Sequence, residues 1–202
     1  MYKNITGIIL SGGKSLRMGV NKSLLKIGNK SVIEITADLM KSLFEKNILS
    51  TNTPEEYEFL KLSMIEDVFK DAGPLAGIHS ALLKSNTDKN FVISCDVPLM
   101  NREMIEYIID FHTDSKIIIS SAAGFLQPLV GIYHKKLLPE IEKILTINSV
   151  ESTKPSHKSL HKLIESAGAE ITDPTSLPFY SDELFFNLNN KKDYEFILGK
   201  IC

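Results

Sequence analysis

The sequence predicts a single α/β domain in which a mostly parallel β-sheet is covered by helices on both faces. Short β-branched segments alternate with longer segments of helical period, and this alternation is typical of parallel sheets. The chain of 202 residues has the length of about one domain. Hydrophobic residues account for 43% of it and charged residues for 24%, which is enough apolar material for one core. We therefore expect a three-layer α/β/α arrangement over residues 1–202.

The first half of the chain follows this alternation most regularly. Ile5–Leu10 has the composition of a buried strand, and the segment from Ser31 to Phe44 has apolar residues on one helical face with Ser31 as its cap. Pro54 suits the first turn of a helix that ends at Leu60. The other elements predicted here are strands at Asn47–Thr51, Ser63–Ile65 and Phe91–Cys95, and helices at Leu75–Lys84 and Arg102–His112.

Beyond residue 116 the pattern is less regular. The stretch from Ile117 to Tyr133 carries no charge, but Gly124 and Pro128 interrupt it, so it predicts two buried strands and a turn rather than a membrane span. Thr146–Pro155 is the most polar stretch and predicts a loop. The predicted elements of this half are strands at Lys116–Ser121 and Leu129–Tyr133, and helices at His134–Leu145, Ser156–Ser166 and Asp193–Ile201.

Charge and cysteine content restrict the partners and the compartment. Lys and Arg total 23 against 25 Asp and Glu, so the net charge of −2 lacks the basic excess of a nucleic-acid-binding protein. Cys95 and Cys202 are too few for a disulfide framework or a multi-cysteine zinc site. The first apolar segment is short and has no cleavage-site pattern behind it. We expect a cytoplasmic protein that binds neither nucleic acid nor a membrane.

Open α/β sheets bind ligands at the carboxyl ends of their strands. Asp96 directly follows a predicted strand, and Asn101 is better placed to cap the next helix, so the Asp96 carboxylate is a candidate ligand for Mg²⁺. Helix capping is the alternative role for Asp96. Small, polar or acidic residues follow each of the four predicted strands, namely Ser11-Gly12-Gly13, Asn52, Glu66-Asp67 and Asp96.

The loop after the first strand combines glycine with basic residues. Gly12-Gly13 lets a ligand approach the backbone, whose N–H groups can bind phosphate oxygens. Lys14, Arg17 and Lys22 place three cations within nine positions, which suits a triphosphate. The loop is not a P-loop, because that motif requires a glycine where this chain has Ile8. A tight turn with solvated basic residues is the alternative interpretation.

Several segments together resemble one family of nucleotidyltransferases. The run Leu10 to Gly19, followed by Asn21-Lys22, resembles their nucleotide-binding signature, and the whole chain is most similar to the molybdenum cofactor guanylyltransferase (MobA) family. The resemblance implies a Rossmann-like sheet of the nucleotidyltransferase type, with a nucleotide-binding half at about 1–112 and a molybdopterin-binding half at about 113–202. The other matching segments are Ile65-Glu66-Asp67, Gly73-Pro74-Leu75-Ala76-Gly77, Ser94-Cys95-Asp96-Val97-Pro98-Leu99 and Phe186-Asn187-Leu188-Asn189.

The activity implied by the resemblance is transfer of GMP from GTP to the terminal phosphate of molybdopterin, which gives molybdopterin guanine dinucleotide and pyrophosphate. Asp96 is implied as the Mg²⁺ ligand and, with Arg17 and Lys22, as catalytic. Asn187 and Asn189 are implied as ligands of the second substrate, on one face of a strand. The implied nucleotide-binding residues are Leu10, Ser11, Gly12, Gly13, Lys14, Lys22, Asn52, Asp67, Gly77 and Asp96.

Some positions leave alternatives open. Asn21 stands where the family commonly has Asp, and Asn190-Lys191 stands where it commonly has Thr-Pro. The basic segment Lys154–Lys162 is a solvated helix face or a wall that attracts the cofactor phosphate. Cytidylyl transfer to the same pterin, a related sugar-phosphate nucleotidyltransferase and a non-catalytic nucleotide-binding module are the alternative functions. The form of Gly73–Gly77 favours guanylyl transfer. Transient contacts with proteins of molybdenum cofactor biosynthesis and insertion are a further expectation.

Overall fold

The computed structural model describes residues 1–12, 21–150 and 157–201. In these residues a seven-stranded sheet forms the centre of the molecule, and a separate two-stranded hairpin precedes the first helix. The strands are β1 (Tyr2–Leu10), β2 (Lys26–Ile27), β3 (Lys30–Ser31), β4 (Phe44–Ser50), β5 (Ser63–Ile65), β6 (Lys89–Ser94), β7 (Ile117–Ala122), β8 (Phe125–His134) and β9 (Glu170–Thr172). The helices are α1 (Val32–Leu43), α2 (Pro74–Lys84), α3 (Arg102–Ile109), α4 (Leu138–Val150), α5 (His157–Ala167) and α6 (Lys191–Ile201). Short 3-10 helices lie at Lys22–Leu24, Pro54–Leu60, Lys135–Leu137 and Asp182–Phe185.

The sheet has the strand order β5-β4-β1-β6-β8-β7-β9. β1 pairs in parallel with β4 and β6, whereas β8 runs antiparallel to both β6 and β7. The tight turn Ala123-Gly124, with both residues at positive φ, reverses the chain between β7 and β8. The predicted mostly parallel α/β sheet is therefore confirmed. Leu10 lies opposite Ser50 and Ser94, and Ser50 lies opposite Ile65, so four parallel strands end at one edge.

Two apolar cores cover the two faces of the sheet. On one face α1 and α3 bury side chains such as Ile33 and Met104. On the other face α2, α4 and α5 bury side chains such as Ile78 and Ile141. A smaller cluster around the fully buried Leu188 joins the β2–β3 hairpin to α6. The predicted three layers are thus present, and the helix predicted at Asp193–Ile201 is α6. The β2–β3 hairpin is an addition that the sequence pattern did not predict.

Some predicted boundaries were wrong. α4 continues to Val150 through residues that were predicted as a loop. α3 ends at Ile109 rather than His112. The short strand β9 was not predicted, since three residues carry too little pattern. None of the helices in the described residues is long and apolar enough to cross a membrane.

The predicted cap at the start of α1 is confirmed. The backbone N–H and the hydroxyl of Ser31 both donate to Glu34 Oε2 at 2.6 Å, and Lys26 Nζ lies 3.0 Å from the same oxygen. These hydrogen bonds, with the ion pair, lower the pKa of Glu34 from 4.5 to about 2. The ionised Glu34 carboxylate therefore joins the β2–β3 hairpin to the first turn of α1.

This cap predicts a specific dependence of stability on pH. A pKa that is lower in the folded state means that Glu34 stabilises the fold above pH 4.5 and loses this contribution as the pH falls towards 2. Glu34→Gln should therefore lower the melting temperature at pH 7, and the difference from the wild type should shrink between pH 4.5 and 2. Calorimetric melting of both proteins at several pH values measures this difference in melting temperature. Glu45→Gln, at an exposed position of β4, is the control. A difference in melting temperature between Glu34→Gln and the wild type that stays constant over this pH range would contradict the assignment.

Candidate active site

A cavity of about 780 Å³ opens at the edge where the four parallel strands end. This is the location that open α/β sheets use for ligands. Polar side chains and glycines form much of its lining. The lining residues are Leu10, Ser11, Gly12, Asn21, Lys22, Ser23, Val32, Ser50, Thr51, Asn52, Thr53, Glu56, Tyr57, Asp67, Asp71, Gly73, Pro74, Gly77, Ser94, Cys95, Asp96, Leu129 and Leu188.

The predicted nucleotide-binding residues that the structure describes all line this cavity. Leu10, Ser11 and Gly12 enter from the end of β1, and the Ser11 backbone N–H continues the strand by donating to the Ser50 carbonyl at 2.9 Å. Lys22 enters from the segment that follows the glycine-rich loop. The predicted residues Gly13, Lys14 and Arg17 lie outside the described residues.

Asn52 and Asp67 form a polar pair at the ends of β4 and β5. The Asn52 side-chain amide donates to Asp67 Oδ2 at 2.8 Å, and its oxygen accepts the Asp67 backbone N–H at 3.1 Å. Lys70 Nζ also donates to the Asn52 oxygen, at 3.1 Å. Burial raises the pKa of Asp67, while the hydrogen bond from Asn52 opposes this shift. The pair presents hydrogen-bond acceptors and donors together, as recognition of a polar ring edge requires.

Gly77 allows helix α2 to lie close to the strand ends. A Cβ atom at this position would lie 2.8 Å from Ser50 Oγ, 3.3 Å from Leu10 Cδ2 and 3.6 Å from Asp67 Oδ1. Real Cβ atoms do not approach other atoms as closely as 2.8 Å, so a side chain here must displace Ser50. The prediction that Gly77 belongs to the site thus has a steric basis.

Gly77→Ala should therefore lower the free energy of unfolding by about 1–3 kcal/mol and weaken nucleotide binding, because the added methyl displaces Ser50, whose Oγ lies 3.5 Å from Asp67 Oδ1. Urea denaturation measures the first effect and calorimetric titration the second. Gly199→Ala is the matched control, since Gly199 is also helical but has no atom within 4 Å of its Cβ position. It should leave stability unchanged or raise it, by at most about 1 kcal/mol. Equal destabilisation by both substitutions would refute the steric argument.

Asp96 follows β6 and faces the cavity. Ser94 Oγ donates to Asp96 Oδ1 at 2.6 Å, and the Asp96 carbonyl accepts the Leu188 backbone N–H at 2.8 Å. Asn101 caps α3, with its side-chain oxygen accepting from the Met104 N–H at 2.8 Å, so the capping alternative for Asp96 is excluded. Among the described residues no cluster of three or more His, Cys, Asp or Glu side chains could hold a metal ion. A single carboxylate in a polar cavity fits Mg²⁺ that is shared with substrate phosphates.

Lys22 connects this cavity to the C-terminal segment. Its Nζ lies 3.3 Å from the Leu188 carbonyl and 3.5 Å from Asn189 Oδ1. Asn189 thus lies beside the predicted catalytic residue Lys22. The Asn187 amide instead donates to the Phe185 carbonyl at 3.1 Å, and Asn187 does not line the cavity. The prediction of a strand at Asn187 and Asn189 was wrong, because Asp193 Oδ2 accepts the Asn189 and Asn190 N–H groups and draws the chain into α6.

Sequence reasoning missed Tyr57, Glu56 and Ser23, which line the cavity from two 3-10 helices. No motif marks them. The thiol of Cys95 also lines the cavity, but burial and the nearby Asp96 carboxylate raise its pKa to about 12. It therefore offers no thiolate nucleophile near neutral pH.

The predicted basic segment at Lys154–Lys162 is described only in part. His161 and Lys162 are exposed on α5, as expected for a solvated helix face. Lys154 lies outside the described residues, and the structure does not describe the side chains of His157 and Lys158. The described part of the segment does not line the cavity.

The sheet and the cavity at its strand ends define an α/β protein of the nucleotide-binding class. Comparison with known proteins makes the class specific: the family model for the MobA-like NTP transferase domain matches residues 7–164. The chain therefore belongs to the MobA-like NTP transferase family and is a nucleotidyltransferase.

Relatives and solved structures agree with this family. A protein of Carboxydothermus hydrogenoformans named "Probable molybdenum cofactor guanylyltransferase" is 34% identical over 200 residues, covering 97% of this chain and 96% of that one. A protein of Syntrophotalea carbinolica named "Molybdenum cofactor guanylyltransferase" is 29% identical, and the match covers 94% of this chain and 89% of that one. The crystal structure of molybdopterin-guanine dinucleotide biosynthesis protein A from Archaeoglobus fulgidus has the same fold, with a TM-score of 0.78 and 20% sequence identity. The match covers 96% of this chain and 97% of that one.

Proposed function

We propose that the protein transfers GMP from GTP to the terminal phosphate of molybdopterin, giving molybdopterin guanine dinucleotide and pyrophosphate. The observation that carries this proposal is the cavity that brings Gly12, Lys22, Asp67 and Asp96 together at the ends of parallel strands. The names of the full-length relatives support the choice of reaction.

The reaction is an in-line displacement at the α-phosphorus of GTP. An oxygen of the molybdopterin phosphate forms the new bond to phosphorus, and the bond from phosphorus to the oxygen bridging the α- and β-phosphates breaks, so pyrophosphate leaves. The nucleophile is already anionic, so the site needs no strong general base. Catalysis then consists of positioning and of neutralising charge, for which the residues of this cavity are suited.

Each of the predicted phosphate-binding and metal-binding residues has a part in this proposal. Lys22 neutralises charge near the α-phosphate, and Lys14 and Arg17 bind the leaving pyrophosphate. Asp96 would hold Mg²⁺, and the bound ion would supply positive charge that neutralises the phosphates. Gly12 and the residues after it bind phosphate oxygens through their backbone N–H groups.

The second substrate is assigned to the C-terminal half, at about residues 113–202, while the half at about 1–112 binds the nucleotide. Asn189 supports this assignment because its side chain lies beside Lys22. We retain Asn187 as a ligand of molybdopterin that would have to exchange its contact with the Phe185 carbonyl. Proteins of molybdenum cofactor biosynthesis and insertion are the proposed transient partners. We assign the enzyme to the cytoplasm, to which the free thiol of Cys95 is suited.

Asn52 and Asp67 support guanine as the base. Guanine presents ring and amino N–H donors side by side, and the Asp67 carboxylate is a hydrogen-bond acceptor. The carboxylate is oriented by Asn52 at 2.8 Å and lies in the cavity. Cytosine presents one amino donor beside the ring acceptor N3, so it lacks the adjacent pair of N–H donors that a carboxylate accepts from guanine.

Calorimetric titration with GTP, CTP and ATP, each with and without Mg²⁺, tests the proposal. We expect binding that depends on Mg²⁺ and selects GTP, followed by pyrophosphate release when molybdopterin is added. Selective binding of CTP would change the product to the cytosine dinucleotide. GTP binding without turnover in the presence of molybdopterin would indicate a non-catalytic module and would overturn the proposed reaction.

A further inference from the structure

The hydroxyl group of Tyr57 lies where the two ends of the glycine-rich loop meet. Tyr57 is only 2% exposed, and its ring is part of the core formed by α1 and α3. Its hydroxyl oxygen accepts a hydrogen bond from Ser11 Oγ at 2.9 Å and another from Asn21 Nδ2 at 2.7 Å, and it lies 2.9 Å from Ser23 Oγ. Ser11 precedes the loop, and Asn21 and Ser23 follow it. One buried oxygen atom therefore contacts both ends of the loop.

The protons of this group have one arrangement that satisfies every partner. Tyr57 accepts from Ser11 and Asn21, so its own proton is donated to Ser23 Oγ. Ser23 Oγ in turn donates to Asn21 Oδ1 at 2.7 Å, which closes a ring of hydrogen bonds. Asn21 Nδ2 also donates to Glu56 Oε2 at 2.5 Å. A fully satisfied network of buried polar groups favours a single geometry.

Lys22 lies between two members of this network. Asn21 and Ser23 are its neighbours in the chain, and the Ser23 N–H donates to Asn21 Oδ1 at 3.1 Å at the start of the 3-10 helix. The backbone of Lys22 is thus held from both sides. The network touches the cavity as well, because Ser11, Asn21 and Tyr57 all line it.

We propose that Tyr57 is a positioning residue, whose hydroxyl joins Ser11 to Asn21 and Ser23 and so presents Lys22 to the phosphates of the nucleotide. For the ligand, this inference rests on the proposed function. Fixing the backbone on both sides of Lys22 lowers the entropic cost of placing this lysine on a ligand. Tyr57 should therefore contribute to the affinity for a nucleoside triphosphate and not to the affinity for the nucleoside alone.

Tyr57→Phe tests the proposal because it removes the hydroxyl and keeps the buried ring. We expect the dissociation constant for GTP with Mg²⁺ to rise about 10-fold, while that for guanosine stays unchanged. Tyr133→Phe is the matched control. Tyr133 is also fully buried, and its hydroxyl donates to the Pro128 carbonyl at 2.6 Å, so this variant too loses a buried hydrogen bond. An equal loss for GTP and guanosine, or the same loss of GTP affinity in the control, would overturn the proposal.

A second measurement needs no nucleotide. The N–H groups of Ser23, Leu24 and Leu25 donate to Asn21 or Lys22 in the 3-10 helix, and their hydrogen exchange can be followed by NMR. Tyr57→Phe should accelerate their exchange about 10-fold and Tyr133→Phe should not. Unchanged exchange in Tyr57→Phe overturns the proposal even where the wild type binds GTP. Faster exchange in a protein whose wild type binds no nucleotide supports the positioning of the Lys22 segment by Tyr57 and refutes the proposed function.

Asn21→Ser covers the case in which Tyr57→Phe does not fold. Serine is as good a helix cap as asparagine, so the cap of the 3-10 helix is kept. The amide donor to Tyr57 and Glu56 is lost. The same selective loss of GTP affinity and the same faster exchange are expected, and wild-type values for both would overturn the proposal.

Discussion

Asp96→Asn is expected to lower kcat for Mg²⁺-dependent nucleotidyl transfer by about 1000-fold. The free energy of unfolding should stay within about 1 kcal/mol of the wild-type value. The substitution keeps the oxygen that accepts from Ser94 Oγ at 2.6 Å and the carbonyl that accepts from the Leu188 N–H at 2.8 Å. It removes only the negative charge, and Mg²⁺ prefers a charged oxygen ligand to an amide one. The loss should therefore be confined to catalysis.

Pyrophosphate release, measured over a range of Mg²⁺ concentrations with GTP and molybdopterin, checks this expectation. Raising Mg²⁺ should recover part of the activity if the variant binds the metal more weakly. Asp114→Asn, at an exposed position that does not line the cavity, is the control for a lost carboxylate. Removal of a charge-stabilising group lowers kcat by far more than about 10-fold. Retention of more than about one tenth of the wild-type kcat would therefore show that Asp96 is not the metal ligand.

The residues at the strand ends could be predicted because the signal is local. Asn52, Asp67 and Asp96 each follow a predicted strand within two residues, and parallel pairing then brings the ends together without further information. Gly77 was identified through the resemblance, and its physical role became visible only when the distance of 2.8 Å to Ser50 Oγ was known. Sequence pattern thus predicts which edge of the sheet holds the site, and three-dimensional packing determines why particular residues are needed there.

The other part of the site depends on contacts between distant positions. Tyr57 is 46 positions from Ser11, and the segment Pro54–Leu60, in which it lies among three glutamates, carries no motif that marks it. Leu188 is 166 positions from Lys22, yet its carbonyl contacts the lysine and its N–H contacts Asp96. The spacing of Asn187 and Asn189 also predicted a strand with both side chains on one face, which was wrong. The side chain of Asp193 determines the path of that segment instead. Such contacts leave no periodic trace in the sequence.

Lys22→Ala should lower kcat by about 100-fold. It should cost less than about 1 kcal/mol of stability, since the side chain is half-buried and its contacts at 3.3 and 3.5 Å are long. The physical reason is the loss of a positive charge where the α-phosphate gains charge in the transition state. Lys46→Ala, at an exposed position on β4, is the control and should leave kcat unchanged.

The kinetics of Lys22→Ala also separate two roles of the lysine. A residue that acts on the transition state lowers kcat while the KM for molybdopterin stays near its wild-type value. A residue that only holds the C-terminal segment through the Leu188 carbonyl and Asn189 would raise that KM and leave kcat unchanged. We expect the first pattern, because Lys22 follows directly on the hydrogen-bonded Asn21 and so is held at the cavity independently of the C-terminal segment. Near-wild-type kcat with a raised KM would reassign Lys22 from charge neutralisation to placement of the second substrate.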